Sequence, residues 1–362
     1  MTKLWYALVA FLSLLCASRL SAYPQMTAHG YSSCLACHVA PSGGGLLSAY
    51  GRSLSREVLS TWGAENEEGV LHGVVPASEL LLLGGDVRAL QLFMRSPYVD
   101  LGRFIWMQAD LEAGVRLGEF TVVGSIGYQN PTSANYSGSS FFSRKHYVLW
   151  NFSETNFLRA GKFDGAYGIR WPDHFMFARR DLSWDEGSES YRLEWAKLEE
   201  TWQLIASVSI GRPDAPQLQI EKAATVRLAK YFGENHQIIL SAHYGLRSTT
   251  NRFVFGPSAV FTLLEGLSVF AQVDFQQAAK FGFLEYLRIN YEVLKGIHLY
   301  GMQELSVLDA SSASTTKQAY TLGVQWFPRP HFEFLVGLRK STSGSVATGA
   351  TDSLMLLMHY YL

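Results

Sequence analysis

From about residue 80 to Leu362 the chain alternates apolar and polar residues with a period of two. Val269, Ala271, Val273 and Phe275 oppose Gln272, Asp274 and Gln276, and Leu287, Ile289, Tyr291 and Val293 oppose Arg288, Asn290 and Glu292. Trp202, Leu204, Ala206, Val208 and Ile210 stand against Gln203, Ser207 and Ser209, as Phe332, Phe334, Val336 and Leu338 do against Glu333, Gly337 and Arg339. Successive side chains of a strand point to opposite faces, so each segment has one apolar and one polar wall.

Tight connections punctuate the strands at 117–119, 154–156, 198–200, 233–235, 264–266, 294–296 and 328–330. Between them lie mostly longer Gly/Ser/Thr-rich connections at 130–140, 163–188, 308–316 and 342–352. Short and long alternate, as they do when one rim of an up-and-down barrel has tight turns and the other has excursions. Sixteen strands are predicted, starting near 80, 101, 119, 140, 156, 189, 201, 221, 236, 252, 266, 282, 296, 316, 331 and 352. An even number places both barrel ends on the short-turn side, the side expected to face the periplasm.

The fold class expected is therefore all-β: an antiparallel up-and-down transmembrane β-barrel of about 16 strands, with a small N-terminal α-helical segment. Strands of this length suffice for a tilted crossing, which takes roughly 9 to 11 residues. Trp150, Tyr191, Trp195, Trp202, Tyr231 and Trp326, near strand ends, suit an interfacial girdle. The end Tyr360-Tyr361-Leu362 resembles the aromatic terminal strand of outer-membrane proteins, with Leu in place of the usual Phe. A soluble secreted sandwich also alternates, but it rarely needs sixteen long strands in strict up-and-down order.

Residues 23–79 differ. Leu47, Tyr50, Leu54, Val58 and Trp62 recur at near-helical spacing, so one amphipathic helix is expected from about 46 to 62, followed by an acidic linker at Glu65, Glu67 and Glu68. Ahead of it, Lys3, the apolar run Leu4 to Cys16, and Ser21-Ala22 read as a secretory signal peptide over 1–22. A lipoprotein signal with Cys16 as acceptor wants a small residue before it, and Leu15 stands there. The division expected is thus signal 1–22, a small segment 23–79, and barrel 80–362.

Composition narrows the partners. The 362 residues are 48% hydrophobic and 14% aromatic with a net charge of −1, too apolar for disorder and too neutral for phosphate attraction. Nucleic acid is not an expected partner; outer-membrane lipid is. Three cysteines are too few for a disulfide scaffold.

The two mature cysteines fall in Cys34-Leu35-Ala36-Cys37-His38, a C-x-x-C-H sequence that reads as a c-type haem attachment site. Two thiols three positions apart each form a thioether to a vinyl group, and the next residue presents imidazole to the iron. Cys34 and Cys37 are the expected anchors and His38 the axial ligand of one covalent haem c. Structural zinc wants four Cys or His ligands, and a thioredoxin-type motif wants a βαβ context; a short disulfide stays open as an alternative. Met26, His29 and His72 are the candidate sixth ligands. Gly43, Gly44 and Gly45 either turn the backbone close to the haem or form a flexible linker, and Arg52 is a candidate partner for a haem propionate. Some fifty residues make a poor independent core, so the segment is expected to pack around its haem and to dock against or inside the barrel mouth.

Arg192, Glu194, Arg227, Gln237, His243, Asp274, Arg288, Asn290, Glu292, Glu304 and Arg339 fall on or near the polar faces and are expected to line the lumen, by default as mutually paired charges. The long connection Phe163 to Ser188 carries Asp164, Asp173, His174, Arg179, Arg180, Asp181 and Asp185. It either folds inward as a constriction or offers carboxylate and imidazole to a metal ion outside.

Export signal, a single C-x-x-C-H at Cys34, Cys37 and His38, and a barrel of about sixteen strands together resemble the fused monohaem cytochrome-porins of the outer membrane, including the iron oxidases of iron-oxidising bacteria. The resemblance covers the whole chain in architecture but only those three residues in particulars. It implies an outer-membrane protein moving electrons between an extracellular redox partner and periplasmic carriers, an electron-transferring oxidoreductase if an enzyme, with metal-ion oxidation as one form of it. No iron site is identifiable in the strands. A passive porin whose haem segment is a plug or sensor is the alternative.

Overall fold

The computed structural model describes residues 26, 29, 31, 33–76, 78–128, 139–171, 173, 176–184, 187–216, 220–233, 235–247, 250–344 and 349–362. The signal-peptide reading of 1–22 falls outside them. The strands are β1 (Leu81–Arg95), β2 (Asp100–Leu117), β3 (Phe120–Tyr128), β4 in two pieces (Phe141–Phe142 and His146–Asn151), β5 (Asn156–Phe163), β6 (Ser190–Glu199), β7 (Trp202–Gly211) and β8 (Lys222–Phe232). They continue as β9 (His236–Leu246), β10 (Asn251–Leu264), β11 (Leu267–Gln277), β12 (Phe281–Leu294), β13 (Ile297–Val307), β14 (Thr316–Trp326), β15 (Phe332–Ser343) and β16 (Ala350–Tyr361). Both pieces of β4 pair with β3, so sixteen staves make the wall. Every observed start lies within two residues of the sequence expectation.

Each strand pairs antiparallel with its neighbours, and β1 closes the cylinder on β16 from Asp86 opposite Tyr361 to Arg95 opposite Asp352. Closure leaves no unpaired edge, which a wall in lipid requires. The tight turns are where the punctuation put them: Leu117 pairs Phe120, Glu199 pairs Trp202, Leu264 pairs Leu267 and Leu294 pairs Ile297. Gly266 and Gly296 take φ of +77° in two of these turns, a left-handed backbone that an L side chain would strain.

The period of two becomes two walls. Phe104, Val208, Ile210, Leu240, Leu322 and Leu338 are exposed on the outside, while Gln272, Asp274, Arg288, Asn290 and Arg339 are buried within. Among the described residues no helix is long and apolar enough to cross a membrane. The outward apolar wall of the closed barrel is the surface suited to lipid. Of the expected girdle, Trp150 faces outward, as does Trp202, whose ring lies under the Lys197 ammonium at 5.5 Å. Tyr231 does not belong to it. Its ring is buried inside among Ala229, Ile239 and Val260, because its place in the alternation of β8 turns it inward.

The lumen is filled from two directions. From the short-turn rim comes the N-terminal segment, whose helix α1 (Ala49–Leu54) continues into a wider π turn at Ser55–Leu59. The helix expected over 46–62 is therefore shorter, and its packed face is only partly the expected one: Leu54 is buried and Leu47 and Val58 pack against its cluster. Gly51, Arg52, Leu54, Ser55 and Leu59 are buried, whereas Tyr50 and Trp62, expected on the packed face, are exposed. From the other rim comes the β5–β6 connection, which folds inward and carries a short helix α2 (Phe177–Asp181). Its Ile169, Trp171, Met176 and Ala178 pack on Tyr231, Ile239, Val260 and Phe270 of the wall.

Candidate functional site

The C-x-x-C-H turn is a single tight coil. Cys34–Ala36 form a short 3-10 turn in which the Cys37 and His38 amides both donate to the Cys34 carbonyl, at 3.2 and 2.9 Å. The chain then doubles back: Val39 N donates to Leu46 O at 3.0 Å, and Ser48 N to Cys37 O at 2.7 Å. Gly43, Gly44 and Gly45 make the reversal, with φ of +78°, +76° and +68°. The close approach is to the attachment turn itself, since a Cβ on Gly43 would sit 3.1 Å from Cys34 Sγ. Ser48 caps α1 by accepting from Gly51 N at 3.0 Å, and α1 rests on the turn through Gly51, where a Cβ would come within 2.3 Å of Cys37 O.

The barrel holds this unit by its backbone. Leu46 N donates to Glu112 Oε2 at 3.0 Å, and Lys145 Nζ closes on Glu112 Oε1 at 2.7 Å. Arg159 Nη2 reaches Ser42 Oγ at 2.8 Å, and Gln203 Nε2 reaches Ser33 Oγ at 3.0 Å. Arg170, from the inward connection, donates to the carbonyls of Ser42 and Gly43 at 3.4 and 3.0 Å. At the rim, Thr61 Oγ1 donates to Lys295 O, Trp326 Nε1 to Thr61 Oγ1, and Arg329 to Glu67.

Between the N-terminal unit, the inward connection and the wall lies a cavity of about 240 Å³. Cys34 and His38 line it, with Tyr31, Arg88, Lys145 and Arg170 around them. Burial, with the Arg170 charge adding to it, pushes the His38 imidazole down to about 4, so it is neutral at neutral pH. Its Nδ1 is buried with no hydrogen-bond partner. Both thiols are free. Cys37 does not line the cavity; it is buried in a cluster with Met26, Leu54, Leu59 and Phe327. Burial pushes that thiol up to about 12. Cys34 and His38 thus face the space, as two members of a haem-c attachment turn would, while Cys37 lies behind the turn.

None of the three candidate sixth ligands lines that cavity. Met26 lies in the cluster around Cys37, and His29 Nε2 pairs with Glu292 Oε2 at 2.6 Å. His72 is at the rim, stacked on Phe332 at 5.8 Å and 3.6 Å from Glu67. Arg52 also points elsewhere, donating to Leu47 O at 3.0 Å. The arginines lining the cavity are Arg88, Arg144, Arg170, Arg179 and Arg227, of which the sequence reading named only Arg179 and Arg227.

Most of the expected lumen charges behave as mutually satisfied groups and as sockets, Arg192 being an exception whose Nε and Nη1 have no hydrogen-bond partner. Arg159 Nη2 meets Glu194 Oε1 at 2.7 Å, His243 Nε2 meets Glu221 Oε1 at 2.8 Å, and Arg339 pairs with Glu304. Glu304 accepts from Phe177 N at 2.7 Å, Arg227 donates to Gly168 O at 3.1 Å, and Asp274 accepts from Tyr167 OH at 2.9 Å. Arg288 donates to Asn290 and Gln325 at 3.1 and 2.9 Å. The Phe163 to Ser188 connection is therefore a constriction. Asp181 is held by Ser306 and Lys317 at 2.6 and 2.7 Å, Asp164 by Arg170 at 2.9 Å, and no group of three metal-ligating side chains occurs among the described residues. His174 and Asp185 lie outside the described residues. The apolar cluster Ile169, Trp171, Met176 and Phe177 inside an otherwise polar connection was the signal that it packs inward.

No family model and no curated protein matches the chain. Solved structures resemble it in fold. OmpT of Vibrio cholerae matches with a TM-score of 0.58 at 11% identity, over 80% of this chain and 100% of that one. OprB of Pseudomonas putida matches with a TM-score of 0.61 at 8% identity, over 78% and 94%. The anion-selective porin of Comamonas acidovorans matches with a TM-score of 0.56 at 9% identity, over 78% and 99%. A trimer form is among the solved structures of the Vibrio protein. The shared part is the barrel of the outer-membrane porin type.

Proposed function

We propose that this chain is an outer-membrane barrel closed by its own haem-c segment, passing electrons between an extracellular donor or acceptor and periplasmic carriers. One observation carries the reading: Cys34 and His38 line a cavity within the lumen, bounded by wall strands, rather than hanging below the barrel. A single redox centre shortens the path across a membrane only if it sits inside the wall. Cys34 and Cys37 would hold the haem covalently and His38 would ligate its iron; when bound, the haem supplies a one-electron centre whose potential follows from ligands and burial. The chain's own residues do the remaining work. Glu112, Arg159 and Arg170 fix the turn in place, the buried His38 stays neutral and available as a donor, and the two inward segments keep bulk water from the site.

The test uses purified protein in liposomes enclosing a redox dye. Haem staining after denaturing electrophoresis, dye reduction by an external donor, and low ionic conductance are expected together. High conductance with no electrons crossing refutes the conduit. A second reading, a solute pore with the same segment as a plug, draws support from the fold likeness to porins, and that outcome is the one it expects.

A further inference from the structure

A second, smaller cavity of about 80 Å³ lies on the other side of the Asp164–Trp171 stretch, against β6. Arg192, Arg170, Arg179 and Trp171 line it. Arg192 Nε and Nη1 are buried and have no hydrogen-bond partner, and neither has Trp171 Nε1. Three orphaned nitrogens are thus contributed by the residues around one small space, and all three are donors. A buried guanidinium without a partner is costly, and water alone offers such a cluster weak compensation compared with an anion. The facing charges agree. Arg170 is taken by Asp164 at 2.9 Å, and His243 is taken by Glu221 and Thr225 at 2.8 and 2.9 Å, so Arg192 and Arg179 leave the cavity walls net positive. Gly165 leaves room for the arginine, because a Cβ there would come within 2.7 Å of Arg192 Nη1.

We propose that this cavity binds a small oxyanion, such as inorganic phosphate or a short carboxylate, between Arg192, Arg179 and the indole of Trp171. The size admits an anion of a few heavy atoms, and Ser188 adds a hydroxyl to the same lining. The site does not depend on the haem reading.

The experiment is calorimetric titration of inorganic phosphate into the full-length, haem-bearing barrel in detergent. Saturable one-to-one binding is expected, weakened at least ~10-fold in Arg192→Met, since a hydrogen-bonded charge is lost. Arg192→Lys should retain part of the affinity, and Trp171→Phe, which keeps the ring and removes one donor, should lose a smaller part. These two variants carry the test if Arg192→Met fails to give a heat-modifiable folded band. Absence of phosphate binding in the natural protein overturns the proposal, as does binding unchanged across the variants. The Cys34→Ser/Cys37→Ser protein separates two sources of the same chemistry. Phosphate binding only in that haem-free form would mean that haem carboxylates occupy these donors, and the free-anion site would be refuted.

Discussion

Leu46 is the apolar peg by which the N-terminal segment is held in the barrel, and Leu46→Ala measures what that peg is worth. The side chain is 1% exposed and belongs to the cluster of Leu82, Val123, Leu149 and Phe157 on the inner wall. It stands over two glycines: a Cβ on Gly84 would come within 2.7 Å of Leu46 Cδ2, and one on Gly114 within 3.0 Å of Cδ1. The backbone on either side is pinned by Leu46 N to Glu112 and Val39 N to Leu46 O, so the segment collapses little into the vacated space. A buried Leu→Ala change then costs about 2–5 kcal/mol. The strand ladder is untouched, so the cost falls on docking of the segment and not on the barrel, an increase in the undocked population of about 30-fold to several thousand-fold. Hydrogen exchange at the Val39 and Leu46 amides should accelerate by that factor while the strand amides stay as protected as before. Leu322→Ala, on the 70% exposed outward wall, is the control and should leave both amides unchanged. Exchange in Leu46→Ala within about threefold of the natural protein would refute the idea that this contact holds the segment in place.

Glu112→Ala removes the acceptor of Leu46 N and strands Lys145 in the lumen; losing one member of a buried pair costs about 3–5 kcal/mol, and planar-bilayer recordings should show frequent opening where the natural protein is quiet. Gly51→Ala sets a Cβ against the Cys37 carbonyl, so the attachment turn must shift; covalent haem per folded barrel should fall at least ~10-fold by in-gel haem staining, whereas Ser53→Ala on the same helix should not change it. Arg329 holds the Glu67 carboxyl below the usual carboxylate range. A carboxyl depressed in the folded state stabilises above its unfolded value of about 4.3 and loses that contribution as pH falls through the depressed one. Protease protection of the rim segment should therefore be constant at neutral pH and drop below about pH 4, and Glu67→Gln should abolish that step.

The barrel was legible because its rule is short. One face meets lipid and the other a polar interior, so Val269 to Gln276 and Leu287 to Glu292 announce strand, face and length in a few residues. Turns at Gly266 and Gly296 followed from backbone chemistry alone. The N-terminal unit was legible only in part. Cys34, Cys37 and His38 were expected to serve one haem together; Cys34 and His38 line a cavity, and Cys37 is turned away among Leu54 and Leu59. Periodicity found part of the packed face, Leu47, Leu54 and Val58, and misplaced Tyr50 and Trp62 on it. The helix instead rests on its own cysteine turn through Gly51 and in a polar lumen through Arg52 and Ser55. The sockets for both inward segments, Glu112, Arg170, Arg227 and Glu304, are long-range partners that no local pattern reports.

Where alternation fails, it fails for a reason that bears on function. Val123, Leu149, Phe157 and Ile205 are apolar yet face inward, and they form the surface on which Val39 and Leu46 pack. A second inward apolar sector, Ile239, Val260, Phe270 and Met302, receives Ile169, Trp171 and Met176. A water-filled channel would wet both sectors, at about 1.5–3 kcal/mol for each fully exposed side chain. The packed arrangement of both segments is therefore the ground state that these residues specify. Under the proposed function a solute path opens when a packed segment leaves its socket at that cost, whereas an electron needs no such opening. The inward apolar sectors thus favour a wall built around a resident segment over a wall built around water.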